Sequence, residues 1–153
     1  MKILLTGATG QVGREVQRRS KLLGLTVIPT SRATLDIGDK AQTTSIFEHE
    51  DFDLIINAAA YTAVDKAESD RETAFQVNAD GVEHLAILAK QHAIPLFHIS
   101  TDYVFDGETT VAYKETATTN PQTVYGASKL QGEQRLKKTL AAHIILRTSW
   151  VFG

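Results

Sequence analysis

A glycine-rich turn near the N-terminus constrains the fold of this chain more than any other feature. Gly7, Gly10 and Gly13 follow the pattern G-x-x-G-x-x-G, directly after the apolar run at residues 2–6. A strand that turns sharply into a helix needs a residue that tolerates a positive φ angle, and close packing of helix on strand needs a small one. Residues 11–23 have helical apolar spacing. The pattern therefore predicts a strand, a tight turn and a helix.

This turn is also a candidate phosphate site. A helix that starts near Gly10 offers free backbone N–H groups and the positive end of its dipole, and a position without Cβ lets a pyrophosphate approach the backbone. The alternative is a tight turn that binds nothing. Because the glycines stand between a first strand and a first helix, we favour a dinucleotide-binding site.

The rest of the chain alternates short β-rich runs with helical segments. Further strands are predicted at 25–29, 53–57, 96–100 and 143–149, and helices at 40–49, from about 69, and at 125–140. These strands lack a clear polar and apolar alternation, which is typical of a parallel sheet covered on both faces. The sequence thus predicts an α/β fold, a Rossmann-type doubly wound parallel sheet with helices on both faces.

One predicted helix carries an unexpected residue. Its start, Ser69-Asp70-Arg71-Glu72, has the form of a capping box. Asn78 falls on its apolar stripe, where a buried amide needs hydrogen-bond partners. We predict that Asn78 braces the backbone or holds water beneath a site rather than taking part in chemistry.

Composition excludes several classes of protein. There are 16 Lys and Arg against 18 Asp and Glu, a net charge of −2, which does not support nucleic-acid binding. The absence of cysteine excludes a disulfide scaffold, a thiolate metal site and a cysteine nucleophile. No apolar stretch reaches the roughly 20 residues that span a membrane, and the N-terminus lacks the layout of a signal peptide. We expect a cytoplasmic domain without a membrane partner.

Cofactor preference is expected to be set where the second strand ends. In Rossmann folds that bind NAD, a carboxylate about 20 residues beyond the glycines binds the ribose 2′-hydroxyl. This chain has Ser31 and Arg32 there, and the next carboxylate is Asp36. Hydroxyl and guanidinium groups suit a 2′-phosphate. We predict NADPH, with NADH as second choice; the alternative is that Arg32 is an ordinary surface residue.

A second candidate site is the pair Tyr125 and Lys129 in the segment YGASK. Residues four apart lie on one face of a helix, so the phenol and the amine can reach a shared ligand. A nearby ammonium lowers the pKa of a phenol from about 10 and lets it exchange a proton with a substrate oxygen near neutral pH. A chance match is the alternative, but Tyr125 is the only one of four tyrosines with this spacing.

The third candidate site is formed by Ser100 and Thr101, at the carboxyl end of the strand predicted at 96–100. Ligands of open α/β sheets bind beyond the carboxyl ends of strands, where a hydroxyl can donate to a substrate carbonyl. Capping of the strand end is the alternative interpretation. The preceding strand ends in Asn57 and is followed by three alanines at 58–60, whose small side chains would let a flat cofactor lie close.

In order along the chain, these motifs resemble those of extended short-chain dehydrogenases/reductases. Within that superfamily, the dTDP-4-dehydrorhamnose reductase family is similar from Met1 to Gly153 in the segments ILLTGATGQVGRE, NAAAYTAVDKAE, STDYVFDG, YGASKLQGE and RTSWVFG. The resemblance implies an enzyme that reduces the 4-keto group of dTDP-4-dehydro-L-rhamnose to dTDP-L-rhamnose with NADPH or NADH.

The same resemblance implies roles for individual residues. Tyr125 would be the general acid, Lys129 its partner and a holder of the nicotinamide ribose, and Thr101 the third member of a triad. The cofactor cleft would include Gly10, Gln11, Val12, Asp36, Ile37, Ala58, Ala59 and Ala60, beside the Gly7, Gly13, Ser31 and Arg32 already argued. The sugar site would include Thr62, Val64, Thr101, Tyr103 and Trp150.

The family's greater length shapes the expected domain organisation. Because its members are nearly twice as long, we expect residues 1–153 to form the dinucleotide-binding domain, with a C-terminal substrate domain absent beyond Trp150 to Gly153. Such a chain would bind NADPH and turn over the sugar poorly, and the full-length protein would be a homodimer. Glu15 matches an acidic residue that binds Mg²⁺ at the dimer contact in some members; its other ligands would lie in the absent region, so no metal is predicted.

Two other functions are kept as alternatives. One is a nucleotide-sugar epimerase or dehydratase of the same superfamily, although Ser31 and Arg32 stand where those enzymes commonly carry an acidic residue. The other is a non-catalytic subunit that resembles the regulatory subunit of methionine adenosyltransferase. Trp150 favours the reductase, because an aromatic side chain there can cover a sugar.

Overall fold

Five parallel strands form one sheet in the computed structural model, which describes residues 1–151. Phe152 and Gly153, the end of the RTSWVFG segment, lie outside the described residues. The sheet order is β2-β1-β3-β4-β5. The strands are β1 (Lys2–Thr6), β2 (Thr26–Pro29), β3 (Leu54–Asn57), β4 (Leu96–Thr101) and β5 (His143–Thr148). Each predicted strand is confirmed to within one residue at either end.

Helices make the connections between these strands. They are α1 (Gln11–Leu22), α2 (Lys40–His49), α3 (Val64–Ala67), α4 (Arg71–Phe75), α5 (Gly81–Gln91) and α6 (Val124–Thr139), with a π-helical turn (Gln76–Asp80) before α5 and a 3₁₀ turn (Asp102–Val104) after β4. Right-handed crossovers put α1 on one face of the sheet and α2, α5 and α6 on the other. The predicted Rossmann-type fold is confirmed. Within residues 1–151, no helix is long and apolar enough to cross a membrane.

The hydrophobic core lies between the sheet and the helices α2, α5 and α6. Leu4, Ile55 and Leu96, from three adjacent strands, are completely buried there. They pack in one cluster with Leu85 of α5 and Leu136 of α6. Burial of each such side chain stabilises the fold by roughly 1.5–3 kcal/mol. The core therefore fixes α6, the helix that carries YGASK, against β4 and β5.

The helix predicted from about residue 69 differs from the expectation at its start and in its middle. The capping box is absent, because the Ser69 hydroxyl donates to the Lys66 carbonyl oxygen at 3.1 Å and the helix begins at Arg71. The helix then widens into the π-helical turn around Asn78 before α5 begins. A π-helical turn inside a helix is frequently found at functional sites.

Candidate active site

The glycine turn between β1 and α1 is shaped by backbone atoms in close contact. Gly7 has a φ angle of +70°, and a Cβ there would lie 2.5 Å from backbone atoms of Ala58. A Cβ on Gly13 would lie 2.7 Å from the Cα of Ala8. By contrast, a Cβ on Gly10 would meet only the carbonyl oxygen of Gly7, at 3.5 Å. The fold itself thus requires Gly7 and Gly13, whereas Gly10 leaves space for a ligand.

The N-terminus of α1 has no side-chain cap. Gly10 is its N-cap residue and offers no side chain to the first N–H groups of the helix. Such groups, together with the helix dipole, favour an anion. This turn fits the pyrophosphate of a dinucleotide, because it combines an uncapped helix start with open space above Gly10.

One part of the cleft runs from this turn along the carboxyl ends of β2 and β3, with a volume of about 410 Å³. Of the predicted cofactor residues it is lined by Gly7, Gly10, Arg32, Asp36, Ile37, Ala58, Ala59 and Ala60. Gly13 is absent from this lining, as is Ser31, whose hydroxyl lies 3.5 Å from that of Thr34. The sequence analysis assigned no role in the cleft to five further lining residues, Thr9, Leu35, Tyr61, Ala63 and Val77.

Arg32 and Asp36 form an ion pair at the rim of this part of the cleft. The Arg32 Nε atom donates to Asp36 Oδ2 at 3.1 Å, and the arginine side chain is 74% exposed. Asp36 Oδ1 accepts from the Gly38 N–H at 2.9 Å. The carboxylate is therefore held by the protein, and the exposed guanidinium can reach a phosphate at the rim.

The second part of the cleft, about 500 Å³, lies beyond the carboxyl ends of β4 and β5. It brings together all three predicted catalytic residues, Thr101, Tyr125 and Lys129, with Gln11 and Val12 of α1. The predicted sugar-site residues line the same space, namely Thr62, Val64, Tyr103 and Trp150. The lining residues that the sequence analysis left without a role in it are Ile99, Asp102, Thr148 and Val151.

The helix α6 is held in place by polar contacts at its first turns. Thr123 caps it by accepting from the Gly126 N–H at 3.0 Å. The buried Asn78 side chain donates to Ser128 Oγ at 3.0 Å and exchanges two further hydrogen bonds with the backbone of Tyr61. The prediction that Asn78 braces the backbone is confirmed. This brace ties the loop after β3 to the face of α6 that carries Tyr125.

The phenol of Tyr125 is half-buried, and its surroundings favour the protonated form. Burial raises the pKa of Tyr125, and the charge of Asp102 and the neighbouring Tyr103 raise it further; only a hydrogen bond with Thr101 acts in the opposite direction. The rings of Tyr103 and Tyr125 meet edge to face, with centroids 5.6 Å apart. A phenol with a raised pKa stays protonated at neutral pH and can serve as a proton donor.

Lys129 is almost completely buried, with 2% of its surface exposed. Its Nζ atom donates to the Ile99 carbonyl oxygen at 2.7 Å. Burial lowers the pKa of Lys129 to about 8, against the opposing effect of Glu133. The expectation that an ammonium lowers the pKa of Tyr125 is wrong for the chain without ligand, because that pKa is raised and the amine donates to the Ile99 carbonyl oxygen of β4 instead.

Beneath the site lies a buried ion pair that the sequence analysis missed. Glu133 has no exposed surface, and its two carboxylate oxygens accept from Arg147 Nε at 2.9 Å and Nη2 at 2.6 Å. The hydroxyl of Ser100 donates to the same carboxylate at 2.6 Å. The pair joins α6 to β5, and the Ser100 hydroxyl joins it to β4; its two members lie 14 residues apart, beyond the reach of local spacing.

Glu15 lies outside this cleft, on the exposed face of α1. Its carboxylate accepts from Arg18 at 2.6 Å and from Arg19 at 2.7 Å. These hydrogen bonds hold the pKa of Glu15 at about 2. In the described range 1–151, no group of three or more His, Cys, Asp or Glu is placed to hold a metal ion.

Comparisons with known proteins show which proteins this chain is similar to. The dTDP-4-dehydrorhamnose reductase of Burkholderia thailandensis is 47% identical over 153 residues, which are 100% of this chain and 51% of that protein. The crystal structure of a dTDP-4-dehydrorhamnose reductase from Clostridium acetobutylicum superimposes with a TM-score of 0.97 at 42% identity, over 100% of this chain and 55% of that one. A Bacillus anthracis dTDP-4-dehydrorhamnose reductase in complex with NADP gives 0.95 at 36% identity, over 99% and 54%.

The chain thus spans about half the length of the relatives it matches. The sequence model of the family described as "RmlD substrate binding domain" matches residues 1–153, the entire chain. A match of this extent, with the same fold, assigns the family. The chain belongs to the RmlD substrate binding domain family.

Proposed function

We propose that this chain is the cofactor-binding and catalytic part of an NADPH-dependent reductase that converts dTDP-4-dehydro-L-rhamnose to dTDP-L-rhamnose. The observation that carries the proposal is that Thr101, Tyr125 and Lys129 line one cleft that continues to the glycine turn. The names of the relatives support the substrate, and the NADP complex of the Bacillus anthracis neighbour supports the cofactor.

The protein's own groups have distinct tasks in this reaction. When bound, the reduced nicotinamide would supply a hydride to the carbonyl carbon of the sugar. Tyr125 donates its proton to the carbonyl oxygen, and burial keeps that proton on the phenol until it is needed. The Thr101 hydroxyl orients the same oxygen, and Lys129 holds the hydroxyl groups of the nicotinamide ribose.

The cofactor's other end would lie along the first part of the cleft. Its pyrophosphate would contact the α1 N-terminus at Gly10, Gln11 and Val12, and the three alanines at 58–60 leave room for a flat group. The exposed guanidinium of Arg32 would bind the 2′-phosphate of NADPH through paired hydrogen bonds.

Four side chains would form the sugar side of the site. Thr62, Val64 and Tyr103 line the cleft beside the triad, and Trp150 is 79% exposed at its edge. An aromatic ring in that position can cover one face of a sugar. We propose these four as the substrate contacts made by this chain.

The domain organisation follows from the same proposal. Residues 1–153 would form the dinucleotide-binding domain of a longer protein whose other region would complete the sugar pocket. The apolar side chains of Ile144 and Leu146 on β5 are 45% and 47% exposed, which supports a further packing partner there. We expect the chain alone to bind NADPH and to turn over the sugar slowly, and the longer protein to be a homodimer.

Substitution of Gly10 tests the cofactor part of the proposal. In Gly10→Ala the added Cβ is accommodated by the fold, whose nearest atom lies 3.5 Å away, but it occupies the space of the pyrophosphate. We expect NADPH affinity, measured by fluorescence titration, to fall about 100-fold or more, as for a lost contact of about 2.7 kcal/mol. Gly24→Ala is the control, since its Cβ would meet no atom within 4 Å and Gly24 is absent from the cleft lining; its φ angle of +66° makes alanine costly for stability, not for NADPH affinity. Unchanged NADPH binding in Gly10→Ala contradicts the proposal.

Consumption of NADPH tests the reaction. With the chain in excess over dTDP-4-dehydro-L-rhamnose, we expect absorbance loss at the nicotinamide band that depends on the sugar and yields dTDP-L-rhamnose. An epimerase or dehydratase would change the sugar without net NADPH consumption. A non-catalytic subunit would bind NADPH and leave the sugar unchanged. Either outcome would overturn the reductase assignment.

A further inference from the structure

A row of buried polar groups leads from β1 to the amine of Lys129. Thr6 Oγ1 donates to Asn57 Oδ1 at 2.6 Å, and Asn57 Nδ2 lies 3.1 Å from His98 Nδ1. The other ring nitrogen of His98, Nε2, lies 3.4 Å from Lys129 Nζ. Thr6, Asn57 and His98 are completely buried. The row therefore links three adjacent strands to the proposed ribose-binding lysine without access of solvent to its members.

The orientation of Asn57 fixes the tautomer of His98. The Asn57 Oδ1 atom accepts from Thr6 Oγ1 and also from the backbone N–H of Ala59 at 3.1 Å, a group that can only donate. The amide nitrogen Nδ2 must then face His98, where it donates to Nδ1. Burial lowers the pKa of His98 well below its usual value, so the ring is neutral. A neutral imidazole carries one proton, which is therefore on Nε2.

This tautomer points an N–H at the lysine amine. An ammonium has only donors to offer, so a facing N–H would be unfavourable, whereas an uncharged amine offers its lone pair. We propose that His98 is a positioning residue for Lys129: held as the Nε2–H tautomer through Asn57, it donates to the uncharged amine and favours that form in the chain without cofactor. The functional meaning of this contact rests on the proposed role of Lys129, but the contact itself does not.

The other titratable groups around Lys129 act differently from His98. Glu133, one turn further along α6, favours the ammonium, but its carboxylate is already engaged by Arg147 and Ser100. Tyr125 lies one turn earlier on α6, and Asp102 lies across the cleft beyond β4. His98 donates a hydrogen bond to Nζ in this arrangement, and Nζ donates one to the Ile99 carbonyl oxygen. The cleft side of Nζ is thereby left for ligand hydroxyl groups.

Nuclear magnetic resonance of the isotope-labelled 153-residue chain tests the proposal directly. Long-range ¹H–¹⁵N spectra report which ring nitrogen of His98 is protonated, and the ¹³Cε shift of Lys129 follows its titration. We expect a proton on Nε2 alone and a lysine midpoint clearly below the ordinary value of 10.5. A proton on Nδ1, a doubly protonated ring, or a Lys129 midpoint at the ordinary value overturns the proposal. None of these readouts depends on NADPH binding or activity, so failure of the proposed function is a separate result.

The variant Asn57→Asp reverses the direction of the hydrogen bond between His98 Nε2 and Lys129 Nζ. A carboxylate cannot donate, so His98 must place its proton on Nδ1 and present a lone pair to Lys129. We expect the Lys129 midpoint to rise by about one pH unit or more, since one unit corresponds to about 1.4 kcal/mol, the worth of one hydrogen bond. The new negative charge also raises this midpoint, so the double variant Asn57→Asp/His98→Phe is the control. An equal rise in the double variant overturns the role of His98; if Asn57→Asp does not fold, the tautomer of the unchanged chain still decides.

Discussion

The two ends of the cleft are built from different kinds of contact. At the glycine end, backbone packs on backbone, because Gly7 and Gly13 allow approaches that any Cβ would block. At the catalytic end, long side chains from different elements meet in the interior, with Lys129, Glu133 and Arg147 close together. The shape of the glycine end depends on the absence of Cβ atoms at two glycines. The shape of the catalytic end depends on how buried charges are paired.

This difference predicts how each end fails. A substitution at the glycine end acts through steric overlap and does not depend on pH. A substitution at the catalytic end acts through an uncompensated charge or a lost proton donor, and its effect follows pH. Experiments that find the reverse would show that the two ends are not distinct.

The largest effect is expected for Gly13→Ala. Its Cβ would lie 2.7 Å from the Cα of Ala8, and backbone atoms cannot move aside as a flexible side chain can. Overpacking of this kind costs about 3 kcal/mol or more in the free energy of unfolding, measured by urea denaturation. Gly10→Ala, three residues earlier, is the control and should lose about 1 kcal/mol or less, as expected at a helix N-cap. Equal losses would mean that backbone contact does not shape this end.

Arg147→Leu should cost nearly as much at the other end. It leaves the buried Glu133 carboxylate without the arginine, and breaking a buried ion pair destabilises by about 3 kcal/mol or more. Arg135→Leu is the matched control, because Arg135 pairs with the more exposed Asp80 and Glu83 and such pairs are worth about 1 kcal/mol or less. If urea denaturation shows equal losses in the free energy of unfolding for the two variants, burial of the ion pair is not what stabilises this end.

The same pair gives a pH dependence of stability. Burial by itself raises the pKa of Glu133, but hydrogen bonds from Arg147 and Ser100 outweigh it and hold the pKa below the ordinary 4.5. A carboxyl group with a lowered pKa in the folded state stabilises above its unfolded pKa, and that stabilisation is lost as the pH falls through the folded value. We expect the midpoint temperature of unfolding to drop below about pH 4.5 in the unchanged chain, and to drop less in Glu133→Gln. A parallel decline in both would assign acid unfolding to other carboxyl groups.

How well the sequence predicts each end of the cleft depends on how far apart the interacting residues lie in the sequence. Gly7, Gly10 and Gly13, like Tyr125 and Lys129, are spaced within one or two helical turns, so local periodicity reveals them. Secondary structure was predicted to within a residue at most boundaries for the same reason. The capping box wrongly predicted at Ser69 shows the limit of local patterns. The Ser69 hydroxyl donates to the preceding Lys66 carbonyl oxygen instead of capping the helix.

Partners that are distant in sequence left no such signal. His98 approaches Lys129 across 31 residues, and Arg147 approaches Glu133 across 14. Spacing alone could not show that the amine of Lys129 faces β4, and this is why the predicted effect on the Tyr125 pKa was wrong. Buried polar networks are set by which strands become neighbours in the sheet, and the sheet order follows from the whole fold.

Tyr125→Phe separates chemistry from binding at the catalytic end. The variant keeps the ring against Tyr103 and loses only the proton donor, so we expect NADPH affinity to change little and the rate of sugar reduction to fall about 100-fold or more. The rate is measured in single turnover with the chain in excess. Tyr113→Phe is the control, since that hydroxyl donates to Asp106 at 2.6 Å and the residue is absent from both parts of the cleft. Wild-type turnover in Tyr125→Phe would remove the tyrosine from the mechanism.

The smallest effect is expected at the rim of the glycine end. There one exposed side chain, rather than the backbone, would determine the preference for NADPH over NADH. In Arg32→Ala the guanidinium is lost, and we expect NADPH affinity to fall about tenfold, or about 1.4 kcal/mol, while NADH affinity changes little. Screening of exposed charges makes this loss smaller as salt is added. Arg71→Ala, an exposed arginine over the ring of Phe75, is the control for a general loss of positive charge. If Arg32→Ala weakens the binding of NADPH and NADH equally, the arginine does not bind the 2′-phosphate. Cofactor preference at this end must then come from the backbone contacts themselves.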